Sequence, residues 1–137
     1  MCKGKILIAE DDDIQIDLLT DELESEGYEV VAYKDGADIV NMVLKEMPEA
    51  VLLDINLPHV SGWEIARLLK KDYRTKDIPV SIVAALTVKE GLEMAQRHGC
   101  FDFFPKPTNV SEIIESVAQN ILVGRIKRRV SKMIDAT

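Results

Sequence analysis

Acidic residues directly follow two apolar segments of this sequence, and a lysine follows a third. Glu10 and Asp11 come after the run ILIA, Asp54 comes after AVLL, and Lys106 lies in the run FFPKP. A carboxylate at the edge of an apolar core is unfavourable unless another group pairs with it. These four side chains are therefore the first candidates for a functional site.

The residue types of this set point to phosphoryl chemistry. Three carboxylates at close range cannot all ionise unless a cation neutralises them. Mg²⁺ suits such a set, because it takes hard oxygen ligands and combines one or two carboxylates with a phosphate. A lysine facing the carboxylates would add a positive charge for a phosphoryl group, and nothing in the set suits a nucleotide.

Each of these residues also has an ordinary structural interpretation. Acidic residues at the start of a helix often cap it and interact favourably with its dipole, and we favour that role for Asp12 and Asp13. For Glu10 and Asp11 taken alone the two interpretations are equally open. A lone lysine is usually a solvated surface residue. Asp54 is harder to explain in this way, because it ends the most apolar run in the chain.

The alternation of apolar patterns along the sequence predicts the strands and helices that position these residues. Five short apolar runs predict strands, and the segments between them have helical spacing. The strands are predicted at 5–9, 28–33, 50–54, 78–84 and 101–104. Alternating strands and helices predict an α/β fold, a doubly wound parallel sheet of order 2-1-3-4-5 with five helices, as in flavodoxin-like proteins.

This topology places the candidate residues together. Strands one and three are neighbours in the order 2-1-3-4-5, and ligands bind at the carboxyl ends of such strands. Glu10, Asp11 and Asp54 would then converge, with Lys106 arriving at the same edge from strand five. Pro105 cannot donate to a strand ladder, which agrees with strand five lying at an edge of the sheet.

Composition sets the broad class of the protein. The 137 residues are 47% hydrophobic and 30% charged, which is typical of one soluble globular domain. The net charge of −7 argues against a general affinity for nucleic acid. No apolar run is long enough for a membrane span or a signal peptide. Cys2 and Cys100 offer neither a disulfide framework nor metal-ligand spacing, so we expect a cytoplasmic protein with reduced thiols.

Four motifs together resemble the response-regulator receiver domain of two-component signalling, in its chemotaxis-type single-domain form. The resemblance covers nearly all of residues 4–122, and its motifs are ILIAEDD, AVLLDINLPHVSGWE, IPVSIVAAL and GCFDFFPKP. It implies a receiver domain over residues 1–124.

The resemblance also implies roles for individual residues. Asp54 would accept a phosphoryl group from the phosphohistidine of a sensor histidine kinase or a phosphotransfer protein. Glu10 and Asp11 would hold Mg²⁺ together with Asp54 and the backbone carbonyl of Asn56, and Lys106 would pair with the phosphoryl oxygens. Such a protein catalyses only its own phosphorylation and slow dephosphorylation. It then signals to a downstream protein target, which the sequence does not identify, through the face formed by helices four and five.

The sequence departs from the family at two positions. The Thr or Ser that the family carries at the end of strand four corresponds to Ala84, and the usual Tyr of strand five is Phe103. Neither residue can donate a side-chain hydrogen bond. We therefore expect a phosphorylatable receiver with an altered switch.

Residues 125–137 form a basic C-terminal stretch, with five Lys or Arg residues against one acid. An apolar stripe of Ile126, Val130, Met133 and Ile134 runs beside the basic residues. Three interpretations are open: an extension of the last helix, a docking or dimerising segment that would make a homodimer, or a frayed end. We expect a stand-alone signalling protein or phosphorelay shuttle, although a piece of a longer chain would read the same.

Two other functions compete with the leading one. A phosphorylation-independent receiver-like interaction module would explain Ala84 and Phe103, but not the complete set of acids and lysine. A phosphatase with an aspartate nucleophile, of the haloacid-dehalogenase type, would need a second Asp two residues after the first, where this chain has Asn56.

Overall fold

A computed structural model describes residues 2–136 of the chain. Five strands alternate with five helices along the sequence. The strands are β1 (Lys5–Ala9), β2 (Glu29–Tyr33), β3 (Ala50–Asp54), β4 (Val80–Ala84) and β5 (Asp102–Pro105). The helices are α1 (Asp13–Ser25), α2 (Gly36–Glu46), α3 (Gly62–Lys71), α4 (Val88–Arg97) and α5 (Val110–Asp135).

The strands form one parallel sheet in the order β2-β1-β3-β4-β5, which confirms the predicted topology. Four predicted strand boundaries were wrong by one or two residues, including the start of β5, which lies at Asp102 and not at 101. β2 begins at Glu29, β4 begins at Val80, and β5 runs one residue further, to Pro105. Pro105 lies on an edge strand, where its missing N–H leaves no ladder position unpaired.

Helices cover both faces of the sheet. Apolar residues of α2, α3 and α4 pack on one face, and those of α1 and α5 pack on the other. Every residue of β3 and β4 is buried, as expected for central strands of a parallel sheet.

Side-chain caps fix where the helices begin. Thr87 accepts a hydrogen bond from the N–H of Glu90 at 3.2 Å, and Asn109 caps α5 through the N–H of Glu112 at 3.3 Å. Asp12 caps α1, whereas Asp13 is the first residue of that helix and pairs with Lys34. Asp12 is therefore the cap, as predicted, whereas Asp13 is not a cap but lies in the first turn, where its charge is favourable for the helix dipole.

The last helix is much longer than the others. It continues without interruption through the basic C-terminal stretch as far as Asp135. Arg125 pairs with Glu49 through two hydrogen bonds of 2.6 and 2.9 Å, and the hydroxyl of Ser131 donates to Asp77 at 2.9 Å. These contacts hold the inner side of the extension against the domain. Within residues 2–136, no helix combines the length and apolar character needed to cross a membrane.

Candidate functional site

The predicted acidic residues meet at the carboxyl end of the sheet. Glu10 directly follows β1, and Asp54 is the last residue of β3, the strand paired with β1. One carboxylate oxygen from each of Glu10, Asp11 and Asp54 lies within 4.8 Å of the others. Glu10 is 4% exposed and Asp54 is 3% exposed, whereas Asp11 faces solvent. We call these three residues together with Lys106 the acid pocket.

Lys106 reaches the acid pocket from the loop after β5. Its Nζ lies 2.8 Å from Oδ2 of Asp54 and 3.5 Å from Oε1 of Glu10. The backbone N–H of Lys106 donates to the carbonyl of Ala84 at 2.9 Å, so the end of β4 fixes the start of the lysine side chain. The peptide bond between Lys106 and Pro107 is cis.

The electrostatics of the pocket shift the pKa values of its two buried carboxyls, Glu10 and Asp54, in opposite directions. Burial, the hydrogen bond with Asp54 and the charge of Asp54 raise the pKa of Glu10 to about 8, and Lys106 opposes this shift only in part. Burial also disfavours ionised Asp54, but hydrogen bonds from Glu10, Lys106 and the N–H of Asn56 outweigh it. The pKa of Asp54 is therefore held below its usual value. The same contacts overcome the effect of burial on Lys106 and raise its pKa.

At neutral pH these shifts favour a protonated Glu10 beside an ionised Asp54 that pairs with Lys106. The Oδ1 oxygen of Asp54 accepts the N–H of Asn56 at 3.1 Å, which fixes the orientation of the carboxylate. The metal contact predicted for Asn56 is through its backbone carbonyl, and that role stays a prediction. An ionised Asp54 with a fixed orientation has the properties of a nucleophile.

The loop after β3 is held close to Asp54 by a residue without a side chain. A Cβ atom on Gly62 would lie 2.7 Å from the carbonyl oxygen of Asp54 and 2.9 Å from the Cα of Ile55. Only glycine permits this approach, which brings the first turn of α3 against the end of β3. Gln15 of α1 lines a small cleft together with Glu10, Asp54 and Lys106. Sequence reasoning did not identify Gln15, because a polar residue in the first turn of a helix is common.

The two positions where the sequence departs from the receiver pattern lie in one apolar cluster beside the pocket. Ala84 ends β4 and is 2% exposed, and Phe103 of β5 is 5% exposed. A Cβ atom on Gly91 of α4 would lie 2.1 to 2.3 Å from ring atoms of Phe103. The ring therefore occupies the space that any side chain at Gly91 would need. We call Ala84, Gly91 and Phe103 the apolar switch region.

A chain of buried polar groups lies on the other side of β4 and β5. The Asn120 amide donates to the hydroxyl of Ser81 at 3.1 Å and to that of Ser116 at 3.3 Å. Ser116 in turn donates to Asp102 at 2.7 Å. This hydrogen-bond network connects β4, α5 and β5. Sequence reasoning missed it, because Ser81, Ser116 and Asn120 are uncharged residues within their elements.

Comparison with known proteins identifies relatives of the whole fold. The family model for the response regulator receiver domain matches residues 6–118. The polar-differentiation response regulator DivK of Brucella anthropi is 33% identical over 112 residues, which is 82% of this chain and 91% of DivK.

Solved structures of response regulators and sensor proteins have the same fold. A sensor protein from Polaromonas sp. JS666 superposes with a TM-score of 0.81 at 28% identity, covering 89% of this chain and 98% of the other. NtrX from Brucella abortus, in complex with ADP, gives a TM-score of 0.84 at 26% identity. That match covers 30% of NtrX but 97% of this chain, so it includes most of residues 125–137.

Proposed function

Because this chain belongs to the response regulator receiver family of two-component signalling, we propose that Asp54 is its phosphoacceptor. The observation that carries this proposal is the contact between Asp54 and Lys106, at 2.8 Å, in a pocket shared with Glu10 and Asp11. Receiver domains are signalling domains, not classical enzymes, and they interact with histidine kinases or phosphotransfer proteins. The proposed reaction is therefore one phosphoryl transfer per signalling event.

In the proposed transfer, a carboxylate oxygen of Asp54 attacks the phosphorus atom of a phosphohistidine on the partner. The new O–P bond forms as the N–P bond breaks, and the electron pair of that bond returns to the imidazole. Lys106, which now pairs with Asp54, would then contact the oxygens of the transferred group. The N–H of Asn56 holds the other oxygen of Asp54 in place, so the attacking atom is oriented before the partner arrives.

The donor set of the pocket fits Mg²⁺. Three carboxylates from Glu10, Asp11 and Asp54 lie close enough to contact one ion, and hard oxygen ligands suit this metal. When bound, Mg²⁺ would neutralise negative charge on the transferring phosphoryl group. Glu10 would have to lose its proton to act as a ligand, because protonated carboxyls are poor ligands.

We also propose that phosphorylation is weakly coupled to the rest of the domain. Ala84 offers only a methyl group where a hydroxyl would donate to the phosphoryl oxygens. Phe103 is already packed against Gly91, so its ring occupies an inward position without phosphorylation. A hydrogen bond to a charged group contributes about 1.5–3 kcal/mol, and this chain lacks that contribution at Ala84.

Incubation with acetyl phosphate and Mg²⁺ tests the assignment of Asp54. Intact mass spectrometry should show one phosphoryl increment for the wild type and none for Asp54→Asn. Asp13→Asn is the matched control, because Asp13 lies nearby but outside the acid pocket. Lys106→Met should slow the appearance of the increment without moving its site. An increment retained in Asp54→Asn would contradict the proposal.

One observation favours a second candidate function, a receiver-like interaction module that acts without phosphorylation. The ring of Phe103 fills the space beside Gly91 of α4, and neither Phe103 nor Ala84 offers a side-chain donor to a phosphoryl group. A wild-type protein that binds Mg²⁺ but gains no phosphoryl increment would favour this module.

The proposed unit is residues 1–124, with residues 125–137 as an extension of its last helix. The family match and the uninterrupted α5 support this division. We further propose a cytoplasmic location, which the free thiols of Cys2 and Cys100 support, since disulfides are rare in reducing compartments.

A further inference from the structure

The outer side of α5 carries a strip of exposed residues directly opposite the side that packs on the sheet. The strip consists of Ser111, Glu115, Ala118, Leu122, Ile126, Arg129 and Met133. Residues seven positions apart in a helix differ by only about 20° in direction. Glu115, Leu122 and Arg129 therefore lie almost in one line along the helix. We call these seven residues the outer strip.

The outer strip has an apolar centre, with an acidic residue towards one end of the helix and a basic residue towards the other. Leu122 and Ile126 are each 60% exposed, and Ala118 beside them is small enough to allow close approach. Glu115 lies seven residues before Leu122, and Arg129 lies seven residues after it. Within residues 2–136, neither Glu115 nor Arg129 forms an ion pair.

The charge pattern of the whole helix has the same polarity. Glu112 and Glu115 lie in the first part of α5, and the basic residues lie in the second part. The basic residues are Arg125, Lys127, Arg128, Arg129 and Lys132. The one acid of the second part, Asp135, accepts the hydroxyl of Tyr73. A parallel, in-register helix pair would bring like charges together in both parts. An antiparallel pair would place the acidic part of each helix beside the basic part of the other.

We propose that the outer strip is a self-complementary surface on which a second copy of this chain binds in the antiparallel direction. A two-fold axis at Leu122 makes this residue contact its own copy. Each Glu115 then faces the partner's Arg129, at about 10 Å along the helix from the axis, so one arrangement forms two ion pairs. The interface depends on no residue of the acid pocket and needs no phosphorylation.

The docking of the extension on its own domain supports this surface. Lys127 lies over the ring of Phe101 at 4.7 Å, and Asp135 accepts the hydroxyl of Tyr73. Together with the contacts of Arg125 and Ser131, these hold the inner side of α5 to the domain. The outer strip is therefore presented on a helix fixed along its length, which reduces the entropy lost on association.

The size of the surface sets the expected affinity. The strip spans about 33 Å of helix, and one helix pair buries less than the roughly 1,200 Å² typical of stable complexes. We expect a weak, reversible dimer with a dissociation constant on the order of 100 μM. Added salt should weaken it, because exposed ion pairs are screened.

Analytical ultracentrifugation of the full chain over a concentration series tests the proposal. Glu115→Arg and Arg129→Glu should each raise the dissociation constant roughly tenfold or more, since each replaces two attractions by two repulsions. Combining both changes in one chain should restore the dimer. An equal mixture of the two single variants should also associate, because each supplies the charges that the other lacks.

Two controls make the result specific to this interface. Glu93→Arg on α4 makes the same charge change outside the outer strip and should leave association unchanged. Leu122→Asp should abolish association while circular dichroism shows an unchanged fold. A wild type that remains monomeric up to about 1 mM would overturn the proposal. A dimer that Glu115→Arg does not weaken would also overturn it, because a parallel pair predicts that result.

Discussion

The acid pocket and the apolar switch region lie side by side at the same edge of the sheet. The first consists of acidic and basic side chains, whereas the second has no side chain that can donate a hydrogen bond. The acid pocket brings together two buried carboxyls, an exposed one and a lysine, at distances suited to holding charge. The apolar switch region has a methyl group at Ala84 and a phenyl ring at Phe103, both buried and neither able to donate a hydrogen bond.

If the proposed function is correct, accepting a phosphoryl group and reporting it are separate physical properties of this chain. The first needs charges at fixed distances. The second needs an element that can adopt two arrangements, one of which the phosphoryl group favours. In this chain the charges are in place, whereas the ring of Phe103 is buried against Gly91 and has no hydrogen-bonding group.

The largest expected effect concerns the acid pocket and its pH dependence. In the metal-free protein the pKa of Glu10 is raised from 4.5 to about 8, so the folded state binds this proton more tightly than the unfolded state. The free energy of unfolding should therefore fall as pH rises from about 4.5 to about 8, by an amount on the order of 3 kcal/mol. Urea unfolding in the presence of EDTA across this range measures it.

Glu10→Gln should remove most of this slope, because the amide keeps a hydrogen-bond donor for Asp54 and does not ionise. Glu22→Gln, at an exposed position of α1, is the control and should leave the slope unchanged. Saturating Mg²⁺ should also reduce the slope in the wild type, since a metal-bound Glu10 is already ionised. If the slope were the same in Glu10→Gln and wild type, the raised pKa of Glu10 would be contradicted.

The next effect concerns the apolar switch region. Gly91→Ala should lower the free energy of unfolding by about 1–3 kcal/mol, because the new methyl group overlaps the ring of Phe103. Chemical denaturation measures the loss. Gln96→Ala, at an exposed position of the same helix, should change stability little.

A second change separates this overlap from a general effect on α4. Replacing Phe103 by Leu makes room beside residue 91, so Gly91→Ala should be less destabilising in a Phe103→Leu background. The two changes should therefore be non-additive, as expected for residues in direct contact. Additive losses would show that the ring of Phe103 does not fill the space next to Gly91.

Gly91 also illustrates how far the sequence could predict this molecule. The strands and the position of Asp54 were predictable, because contiguous apolar runs form buried strands and a charge at the end of such a run is unusual. The convergence of Glu10 and Asp54 followed from the strand order. The role of Gly91 did not, since it depends on which ring packs against α4, and this is a long-range contact.

The same limit applies to two other features. Ser81 reads as an ordinary strand residue until its hydroxyl is found to accept a hydrogen bond from Asn120, 39 positions later. The long α5 was one of three alternatives, because helical spacing and a basic composition suit a solvated end equally well. Its contacts with Glu49 and Asp77 depend on distant segments that no local pattern reveals.

The smallest expected effect tests whether the apolar switch region can be given the missing donor. Ala84→Ser adds one oxygen atom at the end of β4, where a hydroxyl could donate to a phosphoryl oxygen. Such a bond should stabilise the phosphorylated state by about 1.5 kcal/mol, a shift of roughly tenfold in the coupling between phosphorylation and α4. Trp63 provides the measurement, because its ring stacks at 4.7 Å on His98, the residue that caps the end of α4.

The fluorescence of Trp63, the single tryptophan of the chain, should therefore respond more strongly to beryllofluoride and Mg²⁺ in Ala84→Ser than in the wild type. Ala84→Val is the matched control, because it enlarges the same side chain without adding a donor. A wild type whose Trp63 already responds as strongly as Ala84→Ser would show that Ala84 does not limit the coupling. A receiver without the hydroxyl would then still transmit phosphorylation to α4. The two regions would differ in their side chains but not in whether they respond to phosphorylation.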